Sequence, residues 1–305
     1  MSHSDYMKIE QMDGYITMVY PKYSKTKEKK GSVVILHGMS EHHGRYLLFS
    51  NYLNEKGYDV YLYDHRGHGK DKKFDELGYI SNHNGYQILI QDGIQVLKYI
   101  KRINQTNRLI LIGHSMGSLI ARNIIQQFDE IDKAIFIGTA NPTSYTCQFG
   151  IAASSIIQKL KGAKHHSSFL RKVMFETKLY HSLCERTTFD WLSRNHQQVG
   201  AYIHDPYCGT PPSTAFYRDI IHLSYYAGMS KRMIKTRTDL PILLTSGTKD
   251  PVGGYGKDVT RLFNRYQKLG FHKIDCVLYK DCRHELLNEL NYEEIMNDLV
   301  DWMEA

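Results

Sequence analysis

The chain has 305 residues, enough for one large α/β domain or for a core domain that carries an insertion. Its composition, 42% hydrophobic and 23% charged residues, is typical of a folded globular protein and excludes a disordered or collagen-like chain. The net charge of +7 is not concentrated, and its densest basic run, residues 22–30, is typical of a solvated loop, so we expect no nucleic-acid partner.

Short apolar runs alternate with longer amphipathic runs, which is the pattern of stacked βαβ units. In chain order, segments 7–11 and 15–20 flank Asp13 and Gly14 and predict a hairpin at the sheet edge. The next predicted strands are too apolar to face water, which favours parallel strands covered by helices; they are residues 33–36, 59–63, 109–112, 134–137, 242–245 and 274–279. Three- and four-residue apolar spacing predicts helices over 86–103, 116–128, 257–269 and 292–303.

The alternation stops after Ala140 and resumes at Leu240. A structureless loop of that length is improbable in a compact domain, and the segment has a mainly helical pattern with many aromatic residues. We therefore predict an α/β fold in three parts: a first core half over 1–141, an inserted helical cap over 142–236, and a second core half over 237–305. The alternative is a helical subdomain that does not contact substrate.

A GxSxG motif occupies residues 113–117. The motif alone is common by chance, but here it directly follows one predicted strand and opens one predicted helix. That strand, turn and helix are the setting in which a nucleophilic serine is exposed. Gly113 and Gly117 lack the Cβ atoms that would keep the helix from the strand. Ser115 is the candidate nucleophile, and a turn serine without chemistry is the alternative.

A serine hydroxyl needs a base, and usually a carboxylate behind that base. His284 follows the strand predicted at 274–279, at the edge where open α/β sheets hold their sites. Asp250 follows the strand predicted at 242–245, and the order Ser, Asp, His is that of α/β-hydrolases. Asp64 and Asp281 are alternatives for the acid, although each is more typical of a residue that holds a turn or loop.

An oxyanion hole needs two backbone N–H groups aimed at the developing negative charge. Met116 offers one at the start of the predicted helix. The second is expected from the loop after the strand at 33–36, where Met39 is the candidate. A plain turn is the alternative for that loop.

Two long segments resemble the monoacylglycerol lipase and lysophospholipase-like branch of the α/β-hydrolases, often labelled serine aminopeptidase-like. They are HGMSEHHGRY at 37–46 and DHRGHG at 64–69, and residues 247–252 and 283–288 resemble bacterial members. The resemblance implies an α/β-hydrolase fold with a cap, the triad named above, a small ester or monoacyl lipid as substrate, and no cofactor or metal. It also implies that Glu41 and Arg45 lie near the polar head of the substrate; the alternative is an ion pair that fixes the loop.

The substrate stays open among several classes. The chain departs from the resembling enzymes where Lys70 and Asp71 replace the polar pair usual after DHxGHG, and its cap does not align by eye with animal enzymes. Monoacylglycerol is the first choice because Glu41 and Arg45 offer an acceptor and a donor for glycerol hydroxyls; lysophospholipid or a short-chain ester comes next. An aminopeptidase would need an acidic site for a free amine, and none is evident in the sequence. A non-catalytic binding protein with this fold would commonly lose a triad member.

The cysteines and the hydropathy pattern predict the redox state of the thiols and the cellular location of the protein. The five cysteines are odd in number and form no CxxC pair, which favours reduced thiols over disulfides or structural zinc. The first residues lack the apolar run of a signal peptide, and no stretch has the length of a membrane span. We expect a cytoplasmic protein that contacts membrane surfaces transiently through its cap.

Overall fold

The computed structural model describes residues 6–104, 106 and 108–305. Within these residues one sheet contains eight strands. They are β1 (Met7–Glu10), β2 (Ile16–Lys22), β3 (Gly31–Leu36), β4 (Tyr58–Tyr63), β5 (Leu109–His114), β6 (Lys133–Ile137), β7 (Ile242–Gly247) and β8 (Ile274–Tyr279). Each strand predicted from the sequence is present, with its bounds shifted by two residues at most.

The strand order is β1-β2-β4-β3-β5-β6-β7-β8. β1 and β2 form the predicted antiparallel hairpin, with Met7 opposite Val19, and Gly14 adopts a φ of +79° in its turn, which glycine does at little cost. β2 is also antiparallel to β4, whereas β3 to β8 pair in parallel. The predicted α/β-hydrolase sheet is confirmed.

The described helices flank the sheet and fill the long connection between β6 and β7. They are α1 (Leu47–Glu55), α2 (Gly85–Ile103), α3 (Met116–Ile124), α4 (Ser144–Lys161), α5 (Ser168–Phe175), α6 (Lys178–His181), α7 (His196–His204), α8 (Thr214–Ala227), α9 (Ser230–Met233), α10 (Lys257–Lys268) and α11 (Tyr292–Glu304). α3 ends four residues before its predicted end, and α1 is a helix that the sequence pattern did not predict.

Two hydrophobic cores lie on opposite faces of the sheet. Because side chains alternate along a strand, Val34 and Leu36 of β3 join the core formed with α2, α3, α8 and α10, whereas Val33 and Ile35 join the core formed with α1 and α11. All four are buried. The double burial explains why these strands are apolar at every position.

Residues 142–236, the predicted cap, form helices α4 to α9. Polar residues begin four of them in the expected way: the side chains of Thr143, Ser167, Asn195 and Ser213 accept hydrogen bonds from N–H groups in the first turns. α8 packs against α2 and α3, and α4 packs against α8. None of the described helices combines the length and the apolar content that a membrane span requires.

Candidate active site

Ser115 lies in a tight turn between β5 and α3. Its φ of +52° and ψ of −117° are strained for a residue with a side chain. A Cβ at Gly113 would lie 2.4 Å from the carbonyl oxygen of Gly117, and one at Gly117 would lie 2.1 Å from that of Leu36. Both glycines are therefore required for the helix to approach the strands. The N–H of Ser115 donates to the carbonyl of Ile137 at 2.9 Å, which fixes the turn.

His284 and Asp250 form a buried hydrogen-bonded pair. The distance from His284 Nδ1 to Asp250 Oδ1 is 3.0 Å, and both side chains are almost fully buried. Asp250 also accepts from the Ser246 hydroxyl at 2.8 Å and from the Val252 N–H at 2.9 Å. Because a carboxylate faces Nδ1, that nitrogen carries the proton and Nε2 has a free lone pair.

The contacts of Asp250 keep it ionised. Burial by itself raises the pKa of this carboxyl group, but the electrostatic interaction with His284 and the hydrogen bonds from His284, Ser246 and Val252 outweigh burial and hold the pKa below its usual value. An ionised carboxylate in this position is able to stabilise an imidazolium on the neighbouring ring.

The imidazole of His284 is confined on several sides. A Cβ at Gly138 would lie 2.9 Å from its Cε1 atom, so only glycine fits beneath the ring. The ring of Trp191 lies 5.1 Å from it, and that of His114, the neighbour of Ser115, lies 4.7 Å from it. The structure thus brings His284, Asp250 and the turn of Ser115 together at the carboxyl ends of the parallel strands.

The loop after β3 contacts the same turn. A Cβ at Gly38 would lie 3.2 Å from Ser115 Cβ, so the backbone of this loop borders the serine. Within the part of the chain that the structure describes, the N–H groups of Met39 and Met116 donate to no protein acceptor. Met116 is the first residue of α3, where a helix leaves its N–H groups available. Met39 and Met116 are the two residues predicted from the sequence as oxyanion-hole donors, and that role stays a prediction.

Glu41 and Arg45 belong to a buried network of charges. Glu41 Oε1 accepts from the Gly38 N–H at 2.5 Å and from the Tyr46 hydroxyl at 2.8 Å, and Glu41 Oε2 accepts from Arg45 at 2.7 Å. Arg45 also pairs with both carboxylate oxygens of Glu285, at 2.5 and 2.7 Å. Protein donors thus occupy both oxygens of Glu41, which favours the loop-fixing alternative; a role at the substrate head stays a prediction.

His114 takes part in this network rather than in the chemistry of Ser115. Its Nδ1 lies 3.2 Å from Glu41 Oε1 and 2.9 Å from the Tyr46 hydroxyl. Burial works to lower the pKa of His114, but the hydrogen bond and charge of Glu41 raise it above its usual value. Burial likewise works to raise the pKa of Glu41, and the pairing with His114 and Arg45 lowers it well below the usual range. The buried network of charges and the loop after β3 therefore stabilise each other.

Three buried histidines from the HG and DHRGHG motifs, His37, His65 and His68, pack near the loop that follows β3. His37 Nε2 accepts from the His65 N–H at 3.0 Å, and His68 Nε2 accepts from the Ser40 N–H at 3.1 Å. Burial lowers the pKa of all three imidazoles, that of His68 to about 3. All three rings are neutral. His37 and His68 act as acceptors through Nε2, whereas neither ring nitrogen of His65 has a hydrogen-bond partner among the described residues. Asp64, an alternative for the catalytic acid, accepts instead from His43.

One group of side chains has the composition of a metal site. Ligand atoms of His42, Asp205 and Cys208 lie within 4.8 Å of one another. However, His42 Nδ1 accepts the Gly44 N–H, so the ring proton is on Nε2, which faces Asp205 at 2.9 Å. Burial also raises the pKa of the Cys208 thiol, whereas a metal needs a thiolate. This arrangement favours a hydrogen bond over a metal ligand set.

Glu285, Tyr46 and Ser246 are site residues that the sequence analysis missed. Glu285 directly follows His284, and Tyr46 ends the HGMSEHHGRY segment, so their position in the motifs was the available signal. Ser246 lies in β7, four residues before Asp250, and nothing in its local pattern marks it.

The sequence profile of the family described as "Serine aminopeptidase, S33" matches residues 27–291. The chain belongs to this family. Over 303 residues it is 25% identical to the monoacylglycerol lipase of Mycolicibacterium smegmatis, covering 95% of this chain and 94% of the relative. It is 28% identical to the monoglyceride lipase of Mus musculus, covering 81% and 74%. The predicted family is confirmed, and the chain is a serine hydrolase.

Solved structures show the same fold. A thermostable carboxyl esterase from Bacillus coagulans, in complex with glycerol, superposes with a TM-score of 0.88 at 24% identity over 98% of this chain and 97% of the other. A monoacylglycerol lipase of Paleococcus ferrophilus superposes with a TM-score of 0.69 at 20% identity over 94% and 98%. At these identities the likeness concerns the fold.

Proposed function

We propose that this serine ester hydrolase cleaves monoacyl lipid esters, monoacylglycerols before others, through an acyl-enzyme on Ser115. One observation carries the proposal: the strained turn of Ser115 lies beside a buried His284–Asp250 pair, and a cluster of aromatic side chains from residues 142–236 reaches the imidazole. The hydrogen-bonded pair supplies a base, and the aromatic cluster supplies an apolar surface for the substrate.

The proposed reaction has two stages. Ser115 Oγ attacks the ester carbonyl carbon while its proton passes to His284 Nε2, and the resulting oxyanion faces the N–H groups of Met39 and Met116. When the ester bond breaks, the leaving alkoxide takes the proton from His284. Water then attacks the acyl-enzyme, gives its proton to His284, and releases the fatty acid as Ser115 recovers its proton. Asp250 stabilises the imidazolium in both stages.

The aromatic cluster consists of Phe175, Tyr180, Trp191 and Tyr217. Trp191 lies 5.1 Å from both the His284 and Tyr180 rings, and Phe175 lies 6.4 Å from Trp191 and 6.5 Å from Tyr217. We propose that these side chains and their neighbours within 142–236 form a cap that receives the acyl chain. Relatives named monoacylglycerol or monoglyceride lipases support a glycerol ester as the substrate.

We also propose that the cap touches lipid surfaces. Exposed apolar side chains recur along one face of α4: Tyr145, Phe149, Ile156 and Leu160, which are 60% to 85% exposed. Their four- and seven-residue spacing places them in one stripe. Lysines in the last turn of α4 suit an anionic interface. Together with the five free thiols, this is consistent with a cytoplasmic enzyme that visits membrane surfaces.

The experiment that tests the nucleophile compares wild-type protein with Ser115→Ala. Turnover of p-nitrophenyl butyrate is expected to fall by about 10⁴-fold, and labelling by a fluorophosphonate probe is expected to disappear. Near-normal turnover by the variant, absence of labelling in folded wild-type protein, or complete loss of activity with a chelator would each refute the proposed mechanism. Absence of labelling would favour a binding protein.

A substrate panel tests the leaving group. Monoacylglycerols, lysophosphatidylcholine, alkyl esters and aminoacyl anilides of matched apolar size are assayed with the same preparation. The highest kcat/KM is expected for monoacylglycerols. A higher value for lysophosphatidylcholine would assign the enzyme as a lysophospholipase, the name given as probable to a Haemophilus influenzae relative that is 26% identical over 34% of this chain.

A further inference from the structure

The loop that carries Met39 is held by the cap as well as by the core. Ser40, the residue after Met39, is buried and has a φ of +54°. Its carbonyl accepts hydrogen bonds from the Tyr202 hydroxyl at 2.9 Å and from the Gly209 N–H at 2.8 Å. Its own hydroxyl donates to the Thr210 carbonyl at 2.8 Å. Three bonds therefore tie this residue to α7 and the turn after it.

Further contacts join the same two segments. The ring proton on His42 Nε2 is donated to Asp205 at 2.9 Å, and the Arg45 guanidinium lies 4.9 Å from the centre of the Tyr202 ring. Tyr202 is buried, and its ring also contacts that of Phe189 at 5.2 Å. The side chain of Tyr202 is thus fixed at its ring as well as at its hydroxyl.

The position of the Met39 N–H depends on its two neighbours. On one side the Gly38 N–H is bound by Glu41. On the other side Ser40 adopts a left-handed conformation, which costs a residue with a Cβ energy and persists only where its surroundings hold it. If the bonds to the Ser40 carbonyl weaken, Ser40 can leave its left-handed conformation. The change strains the bond from the Ser40 N–H to His68 and is transmitted through the Met39–Ser40 peptide, so that the Met39 N–H turns away from the oxyanion. An oxyanion donor must be placed to within a few tenths of an ångström to be effective.

We infer that Tyr202 is a positioning residue for oxyanion stabilisation: through Ser40, its hydroxyl holds the N–H of Met39 in the geometry that the reaction needs. The cap is then part of the catalytic scaffold and not only a cover for the acyl chain. This inference rests on the proposed function, because it assigns Met39 to the oxyanion hole.

The test uses Tyr202→Phe, which removes one hydroxyl and keeps the ring against Arg45 and Phe189. The matched control is Tyr207→Phe, in the turn after α7, where the ring stacks on Phe74. For Tyr202→Phe on p-nitrophenyl butyrate we expect kcat to fall about 10-fold with KM within about twofold, because only the transition state carries the oxyanion. Tyr207→Phe is expected to match wild type.

A transition-state analogue separates positioning from general loosening. A trifluoromethyl ketone accepts Ser115 Oγ at its carbonyl carbon, the proton passes to His284, and the hemiketal oxygen takes the oxyanion position. Its inhibition constant is expected to rise in Tyr202→Phe by the same factor as kcat/KM falls, while that of a non-cleavable ether analogue stays unchanged. Ser40→Ala, which loses the bond to Thr210, is expected to show a smaller change in the same direction, and it carries the test if Tyr202→Phe does not fold.

Three outcomes overturn the inference. They are a rise in KM at unchanged kcat, an unchanged inhibition constant of the ketone, and equal behaviour of Tyr202→Phe and Tyr207→Phe in an active wild-type background. If wild-type protein neither cleaves esters nor reacts with a fluorophosphonate probe, the proposed function itself fails and the inference falls with it.

Discussion

Replacing Glu41 by glutamine tests whether the buried network fixes the loop or binds glycerol. The carboxylate accepts from the Gly38 N–H and the Tyr46 hydroxyl with one oxygen and from Arg45 with the other. In Glu41→Gln one oxygen becomes an NH₂ group. If that group faces Arg45, two hydrogen-bond donors face each other. If it faces Gly38 and Tyr46, the hydrogen bonds that these two residues donate to the carboxylate are lost.

The expected cost follows from burial. Glu41 is 2% exposed, and breaking a buried, hydrogen-bonded ion pair costs about 3 kcal/mol or more. Because Arg45 keeps Glu285 as a partner, we expect the free energy of unfolding to fall by about 3 kcal/mol and not by more. Because Gly38 adjoins Met39, the loop shifts and catalysis weakens on every ester, by about 10- to 100-fold in kcat.

The assay measures kcat/KM for a monoacylglycerol and for a p-nitrophenyl ester of the same acyl chain, with urea unfolding in parallel. The control is Glu176→Gln, which removes a partly exposed ion pair with Arg171 and is expected to change stability by less than about 1 kcal/mol. Equal losses on both substrates are expected. A loss confined to the monoacylglycerol, with stability unchanged, would refute loop fixing and show that glycerol hydroxyls bind Glu41 directly.

Three further predictions concern the cap. kcat/KM on p-nitrophenyl esters is expected to rise several-fold for each pair of methylenes until the pocket is filled, and a flat profile from acetyl upward would indicate a short-chain esterase. Burial raises the pKa of Asp219 in α8 from 3.8 to about 7. Between these two values the folded protein keeps the carboxyl proton that the unfolded chain loses, so the free energy of unfolding falls by up to about 4 kcal/mol as pH rises from about 4 to 7. Urea unfolding of Asp219→Asn should not show this fall, and a pH profile equal to that of wild type would contradict the raised pKa of Asp219. Phe149→Ser with Leu160→Ser should reduce sedimentation with phosphatidylglycerol vesicles and turnover of emulsified monoacylglycerol, but not turnover of p-nitrophenyl butyrate; loss on both substrates would mean that these side chains support the fold.

Much of the fold follows from local sequence. The apolar β-branched runs predict the parallel strands because a strand buried on both faces has no polar positions, and the hairpin at Asp13 and Gly14 is marked by its turn residues. α1 was missed because it directly follows a motif-rich loop and its outer face carries exposed Leu47 and Leu48, which blurs the helical periodicity. The predicted end of α3 was too late because apolar residues continue into the following turn.

Candidate residues of the triad were also readable from the chain, because each follows a predicted strand and parallel strands end at one edge of the sheet. The sequence by itself therefore predicted the fold class and the family, which are confirmed, and it marked Ser115, Asp250 and His284 as the candidate triad. It left two roles open for Glu41 and Arg45, since a carboxylate and a guanidinium four residues apart serve equally well as an ion pair or as ligands.

Only the tertiary structure decided which partners these groups have. Arg45 meets Glu285 across 240 positions of the chain, and Tyr202 meets Ser40 across 162. Such bonds require atoms within about 3 Å of each other, so they depend on the path of every loop between the partners, which no local pattern specifies. The sequence marks the candidate reacting groups, and the packing of helices α4 to α9 and of the loops against the core decides how those groups are held.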